Sequence, residues 1–312
     1  MVDMTINVGD VTLDNPIMPA SGTFSPELAS VIDLNRLGAL VTKSATREFR
    51  AGNPTPRVAE TPSGMLNSIG IPSNGIDYFL NDIVPAYRKF TPKLVASISA
   101  HSPEAFASLC HDISVRDVDV IEANISCPNL EADGRAFAMH ADLTETVMKR
   151  LRAATSKPLW AKLTPNVGDI AEIAKAAEAG GADALVVANA ILGMTIDTET
   201  MRPTLGTVMG GLSGPAVKPL AVRMTYQCAK AVSIQVIGCG GISTARDAVE
   251  FLLAGAAAVQ VGTITFQHPT AMITILEELE QWCDAKGFKS VADLTGAVQD
   301  GELSTDKFEA VR

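Results

Sequence analysis

Asn124-Ile-Ser-Cys-Pro-Asn129 sets a thiol between two carboxamides, directly after the apolar run Val118-Asp-Val-Ile-Glu-Ala123. A thiol so placed is a candidate base or nucleophile, and the flanking amides of Asn124 and Asn129 are candidate grips for a flat polar substrate. Pro128 fixes its own φ and biases Cys127 towards extended backbone, so the segment is expected to leave a strand as a shaped loop. Taken on these six residues alone, a buried and inert cysteine at a strand end is an equal alternative. What decides between them is where the rest of the chain puts its polar residues.

Short apolar runs alternate with longer helix-like segments along the chain, the pattern of repeated βα units around a parallel sheet. Eight runs are expected as strands: Pro16–Ala20, Ala39–Thr42, Leu94–Ser97, Val118–Ala123, Leu159–Leu163, Ala184–Ala188, Gln235–Ile237 and Ala258–Val261. Helices are expected over Pro103–Ser114, Asp142–Ala154, Gly168–Ala179, Pro215–Ala231 and Thr244–Ala254, several opened by good helix-start residues. The fold class that follows is α/β, a (β/α)8 TIM barrel, whose catalytic loops lie at the C-terminal strand ends. Those ends carry Ser21, Lys43, Ser97, Asn124 with Cys127, Lys162, Asn189, Gly240-Gly241 and Gly262-Thr263. Glycines after strands seven and eight let backbone N–H groups approach a phosphate, at the usual phosphate position of such a barrel.

An insert after the second strand, residues 44 to 75, is rich in Pro, Gly, Asn and Arg before a helix begins near Ile76. Long inserts of this kind build a lid or substrate wall. Asn67 within it offers both a donor and an acceptor, with a turn residue as the equal alternative. Residues 1–312 read as a single barrel domain, and about 287–312 as a more polar C-terminal appendage, either ordered or frayed.

Composition narrows the function. A net charge of −10 without any Lys/Arg run argues against a phosphate-backbone partner, so no nucleic acid is expected. Aliphatic and small residues dominate the 47% hydrophobic fraction while aromatics are 5%, as suits strands buried on both faces. Cys110, Cys127, Cys228, Cys239 and Cys283 are widely spaced, without a C-x-x-C pair, and the four histidines show no ligand spacing; no metal site is expected. With neither a signal segment nor a membrane-length apolar run, a cytoplasmic protein without membrane contact is expected.

These residues resemble the class 1 dihydroorotate dehydrogenases from about Leu13 to Pro269. The resemblance is carried by Asn124–Asn129, Thr42-Lys43, Gly52-Asn-Pro-Thr-Pro-Arg57, Gly64-Met-Leu-Asn-Ser-Ile-Gly70, Lys162-Leu-Thr-Pro-Asn166 and Gly210-Gly-Leu-Ser-Gly-Pro215, in sequence order. Gly-Met-Leu-Asn67 and the segment running on to Lys218 look like the NAD-linked 1B subclass. The resemblance implies Cys127 as the catalytic base. It implies FMN contacts at Ser21, Lys43, Ser44, Ser97, Asn124, Lys162, Ala188, Gly214, Gly240, Gly241, Gly262 and Thr263. Substrate contacts are implied at Lys43, Asn67, Ser68, Ile69, Gly70, Ile71, Asn124, Asn129, Asn189 and Ala190. Two positions depart from the family: Ala190 replaces a usual hydroxyl residue and Ser97 a usual asparagine.

The implied activity is oxidation of (S)-dihydroorotate to orotate in de novo pyrimidine (UMP) biosynthesis. A proton leaves C5 to Cys127 and a hydride leaves C6 to flavin N5. A thiol of ordinary pKa, about 8.5, works better as its thiolate forms, so rates are expected to climb towards alkaline pH. Lys162 is expected by the flavin N1/O2 edge, where its charge would stabilise the reduced ring. The chain lacks clustered cysteines and a G-x-G-x-x-G fingerprint. It is therefore not expected to reduce NAD⁺ efficiently alone, and the 1B resemblance implies that electrons reach NAD⁺ through a partner subunit carrying FAD and a 2Fe–2S cluster, bound to a homodimer of this chain as a heterotetramer. The competing readings are a related flavin-dependent dihydropyrimidine dehydrogenase, mildly favoured by Ala190, and a non-catalytic flavin-binding barrel.

Overall fold

A computed structural model of the chain describes residues 2–126 and 137–299. Eight short strands form one all-parallel sheet: Ile17–Pro19, Ala39–Val41, Lys93–Ile98, Val120–Asn124, Leu159–Lys162, Ala184–Val187, Gln235–Cys239 and Ala256–Val261. From the second strand onwards each pairs with its successor, and the eighth pairs with the first. The remaining seam, between strands one and two, is drawn together by Gly38, whose N–H donates to the Ile17 carbonyl at 2.9 Å. A Cβ at Gly38 would lie 1.9 Å from the Asn15 carbonyl oxygen, so only glycine allows this approach.

All eight expected strands are present, with ends moved by up to two residues. They are buried on both faces, as in Ala184-Leu-Val-Val187 and Ala256–Val261, because helices cover the outside. The covering helices start where side chains can satisfy free N–H groups. Ser102 caps Pro103–Ser114, Asp169 caps Ile170–Ala179, and Thr244 with Asp247 forms a reciprocal capping box for Ala245–Leu253. The expected helix from Pro215 divides into a 3₁₀ turn, Pro215–Val217, and an α-helix, Lys218–Ala231, with Pro219 tolerated in its first turn. The helical segment from Ile76 widens into a π turn over Phe79–Ile83 just before Pro85, which has no N–H to continue the ladder.

The N-terminal hairpin, Ile6–Val8 with Val11–Leu13, packs at the opposite end from the strand C-termini; Gly9 N–H donates to Gln235 Oε1 at 3.0 Å, at the start of strand seven. Residues 287–299 dock onto this end as well, with Val291 and Leu294 in the core and Asp3 bridged to Ser290.

The insert after strand two forms a hairpin, Val58–Thr61 with Gly64–Asn67. A second excursion after strand six, which periodicity did not reveal, contributes Ile191–Gly193 and Gly210–Ser213. The four pieces join as one antiparallel sheet across the C-terminal mouth of the barrel. Two polypeptide excursions, rather than one, therefore build the wall of whatever site lies there.

Candidate active site

The C-terminal strand ends and this antiparallel wall enclose a cavity of about 700 Å³, within the range of small-molecule sites. Lys162 ends strand five at 3% exposure, and its Nζ donates to Gln260 Oε1 at 3.0 Å and to Ser21 Oγ at 3.4 Å. Asn124 stands beside it in register at the end of strand four. The Asn124 amide donates to Ser44 Oγ at 3.1 Å and accepts from Ser126 Oγ at 2.6 Å. Ser126 in turn accepts from Asn189 Nδ2 at 2.6 Å, while Asn189 Oδ1 accepts from the Ala190 N–H at 2.8 Å. Ser126 thus fixes which end of each carboxamide is oxygen and which is nitrogen, since its one proton is given to Asn124 and its lone pair taken by Asn189.

The opposite wall is backbone. Gly240 and Gly241 follow strand seven and Gly262 and Thr263 follow strand eight, all four lining the cavity. Gly241 sits at φ +75°, and a Cβ there would meet the Gly214 carbonyl oxygen at 2.7 Å and the Lys218 nitrogen at 2.9 Å. This position must be glycine, which leaves main chain bare towards the cavity. Thr263 Oγ1 donates to Ser213 Oγ at 2.9 Å, tying the eighth strand end to the antiparallel wall. In that wall Asn67 Nδ2 donates to the Gly211 carbonyl at 3.2 Å. Ile71 beside it has φ +47°, a left-handed conformation unusual for a β-branched residue and the kind of local strain found at ligand-facing sites. Arg57 braces the loop, donating from Nε to the Asn53 carbonyl at 2.6 Å.

Of the residues singled out in the sequence, Ser21, Lys43, Ser44, Asn67, Ile69, Gly70, Ile71, Asn124, Lys162, Ala188, Asn189, Ala190, Gly240, Gly241, Gly262 and Thr263 all line this one cavity. Three described ones do not. Ser97 is fully buried behind Ser44, joined to it Oγ to Oγ at 2.9 Å; a serine is too short to pass its neighbour where an asparagine would be longer. Ser68 accepts from Asn53 Nδ2 at 2.7 Å within the insert. Gly214, at φ +100°, turns the chain behind Gly241. Cys127 and Asn129 lie outside the described residues.

Sequence reasoning missed Ser126, Ser213, Cys239 and Gln260. Gln260 was detectable, as the one polar residue in the run Ala256-Ala-Ala-Val-Gln-Val261, one position before the strand end. Cys239 lines the cavity; burial pushes its thiol pKa up, an effect opposed by Lys162 and reinforced by Glu122. Among the described residues no three His, Cys, Asp or Glu side chains gather to hold a metal ion.

The sequence model of dihydroorotate dehydrogenase matches residues 3–282. The chain belongs to the dihydroorotate dehydrogenase family. It is 45% identical to the dihydroorotate dehydrogenase B (NAD(+)) catalytic subunit of Bacteroides thetaiotaomicron, over 96% of this chain and 100% of that one. It is 47% identical to the protein of the same description from Trichlorobacter lovleyi, over 95% and 98% of the two chains. A third, from Alkaliphilus metalliredigens, is 44% identical over 95% and 99%. The family implies a flavin mononucleotide, and the residues present fit one. The bare backbone at Gly240 and Gly241 suits a phosphate, and the buried cation of Lys162 suits an electron-rich ring edge.

Proposed function

We propose that the chain is the catalytic subunit of an NAD-linked dihydroorotate dehydrogenase, converting (S)-dihydroorotate to orotate in pyrimidine biosynthesis. The observation that carries this reading is the meeting of Lys43, Asn67, Asn124 and Asn189 with Lys162 in one cavity whose far wall is glycine backbone. A pyrimidine ring alternates N–H and C=O groups and carries no ring charge, so carboxamides, which offer both donor and acceptor, suit its edge better than ionic side chains. Lys43 adds a cation on the cavity wall for the substrate carboxylate.

The reaction takes a proton from C5 and a hydride from C6; bound FMN supplies the hydride acceptor. Ser21, Ser44, Lys162, Ala188 and the Gly240, Gly241, Gly262, Thr263 strand ends would hold it, with Ser97 supporting Ser44. Cys127 takes the proton, a role that rests on the motif around it. Asn124 and Asn189, oriented through Ser126, keep the ring in one register. In the same reading residues 1–312 act as one FMN-binding barrel domain in the cytoplasm. Electrons reach NAD⁺ through a partner subunit with FAD and a 2Fe–2S cluster, on a homodimer of this chain. The cysteine pattern agrees with that division of labour. The four described cysteines, Cys110, Cys228, Cys239 and Cys283, are buried singly in the fold. Among the described residues no helix is long and apolar enough to cross a membrane.

The test is steady-state oxidation by the purified chain with a dye as electron acceptor, dihydroorotate against dihydrouracil, followed by NAD⁺ with and without the co-purified partner. Turnover of dihydroorotate with the dye, and of NAD⁺ only with the partner, is expected. Preference for dihydrouracil would move the assignment to another dihydropyrimidine. NAD⁺ reduction by the chain alone would remove the partner, and fumarate reduction would point to the fumarate-linked subclass.

A further inference from the structure

Beneath Lys162 the barrel interior holds a carboxyl group that the proposed reaction does not use. Glu122 lies on strand four, two residues before Asn124, at 0% exposure. Gln260 Nε2 donates to Glu122 Oε2 at 2.6 Å, and Gln260 Oε1 accepts from Lys162 Nζ at 3.0 Å. An ammonium only donates and a carboxylate only accepts, so the Gln260 amide has one possible orientation, its dipole aligned between anion and cation. Glu122 Oε1 has no hydrogen-bond partner among the described residues, and neither does Nε1 of Trp160, which stands in register with Glu122 on strand five. A buried carboxylate with an orphan oxygen is a costly occupant of a barrel core.

We infer that Glu122 and Gln260 are positioning residues that hold the Lys162 ammonium aimed into the cavity and set how much positive charge the flavin experiences there. The inference rests on the flavin reading above. Glu122 supplies the counter-charge, Gln260 transmits it over a distance the carboxylate does not span, and Ser21 accepts a further hydrogen bond from the ammonium on the cavity side.

The test is the reduction potential of the bound flavin at pH 7, from dye-coupled reductive titration of the holoprotein. Glu122→Gln keeps the shape and still accepts from Gln260, but removes the negative charge. The expected result is a more positive potential, at least a tenfold gain in the reduction equilibrium, or about 30 mV for two electrons. Gln260→Leu keeps the charge and cuts the link. Lys162 is then drawn towards Glu122 and away from the cavity, and the potential is expected to fall. If Glu122→Gln does not accumulate as folded holoprotein, Gln260→Leu carries the test. An unchanged or more negative potential in Glu122→Gln, or an unchanged one in Gln260→Leu, overturns the inference. A wild-type chain without bound flavin overturns the proposed function with it, whereas bound flavin of unaltered potential in the variants overturns this inference alone.

Discussion

The two walls of the cavity are built by opposite means. After strands seven and eight the chain presents main chain at Gly240, Gly241 and Gly262, packed so closely that an added Cβ at Gly241 would strike Gly214 and Lys218. Across the cavity, the antiparallel wall and strand ends four and six present the carboxamides of Asn67, Asn124 and Asn189, each oriented by a named partner. A backbone wall recognises charge with dipoles that cannot be mutated away, and it fails when anything is added. An amide wall recognises a hydrogen-bonding pattern and fails when something is removed. Additions on one side and truncations on the other should therefore have separable effects on cofactor and substrate.

The sharpest separation comes at Cys127. Cys127→Ala is expected to abolish dihydroorotate oxidation while retaining FMN at the wild-type ratio, and Cys127→Ser to leave a remnant that grows at high pH. Turnover near the wild-type rate in the alanine variant would remove the thiol from the chemistry. On the backbone wall, Gly241→Val puts a branched side chain at φ +75° against main chain. Loss of most bound flavin is expected, with a destabilisation of about 1–3 kcal/mol from backbone strain alone, read from the flavin-to-protein absorbance ratio and thermal unfolding. Full flavin content in this variant would mean that the glycine wall is not where the phosphate sits.

Asn189→Ala tests the other wall. Turnover or substrate affinity is expected to weaken by about 1–3 kcal/mol, with flavin content unchanged, because the lost amide also releases Ser126. Flavin loss with unaltered substrate kinetics would reverse the assignment of the two walls.

The smallest effect lies behind the glycines. Lys218 Nζ meets Asp247 Oδ1 at 2.7 Å, joining the helices that follow strands six and seven. Burial pushes the Asp247 carboxyl upward, but Lys218 and the Ser243 and Thr244 N–H groups outweigh it and hold its pKa below the ordinary 3.8. A depressed carboxylate pKa stabilises the fold fully above the unfolded value and loses that contribution as pH falls through the folded one. Asp247→Asn should therefore be less stable than wild type at pH 6, with the gap closing below about pH 4. A gap that is constant with pH would mean the carboxylate charge contributes nothing.

Much of this arrangement was legible in the sequence because barrel strands and their polar ends share one grammar. Lys162 and Asn124 each end an apolar run, and their register follows from the strand order. The excursion after strand six was not legible, since its strands are two to four residues long, glycine-rich and partly exposed, with no period to detect. Ser97 occupies the expected strand end yet stops one side chain short of the cavity, a matter of length rather than position. Glu122 and Gln260 sit inside apolar runs 138 residues apart, and only closure of the barrel brings them together.

The most direct measurement is the absorbance of the bound flavin on anaerobic mixing of the purified chain with dihydroorotate, without NAD⁺ or any partner. Complete bleaching of the oxidised flavin band, with orotate formed in equal amount, is the expected result. A flavin spectrum unchanged by saturating dihydroorotate would contradict the account at its centre.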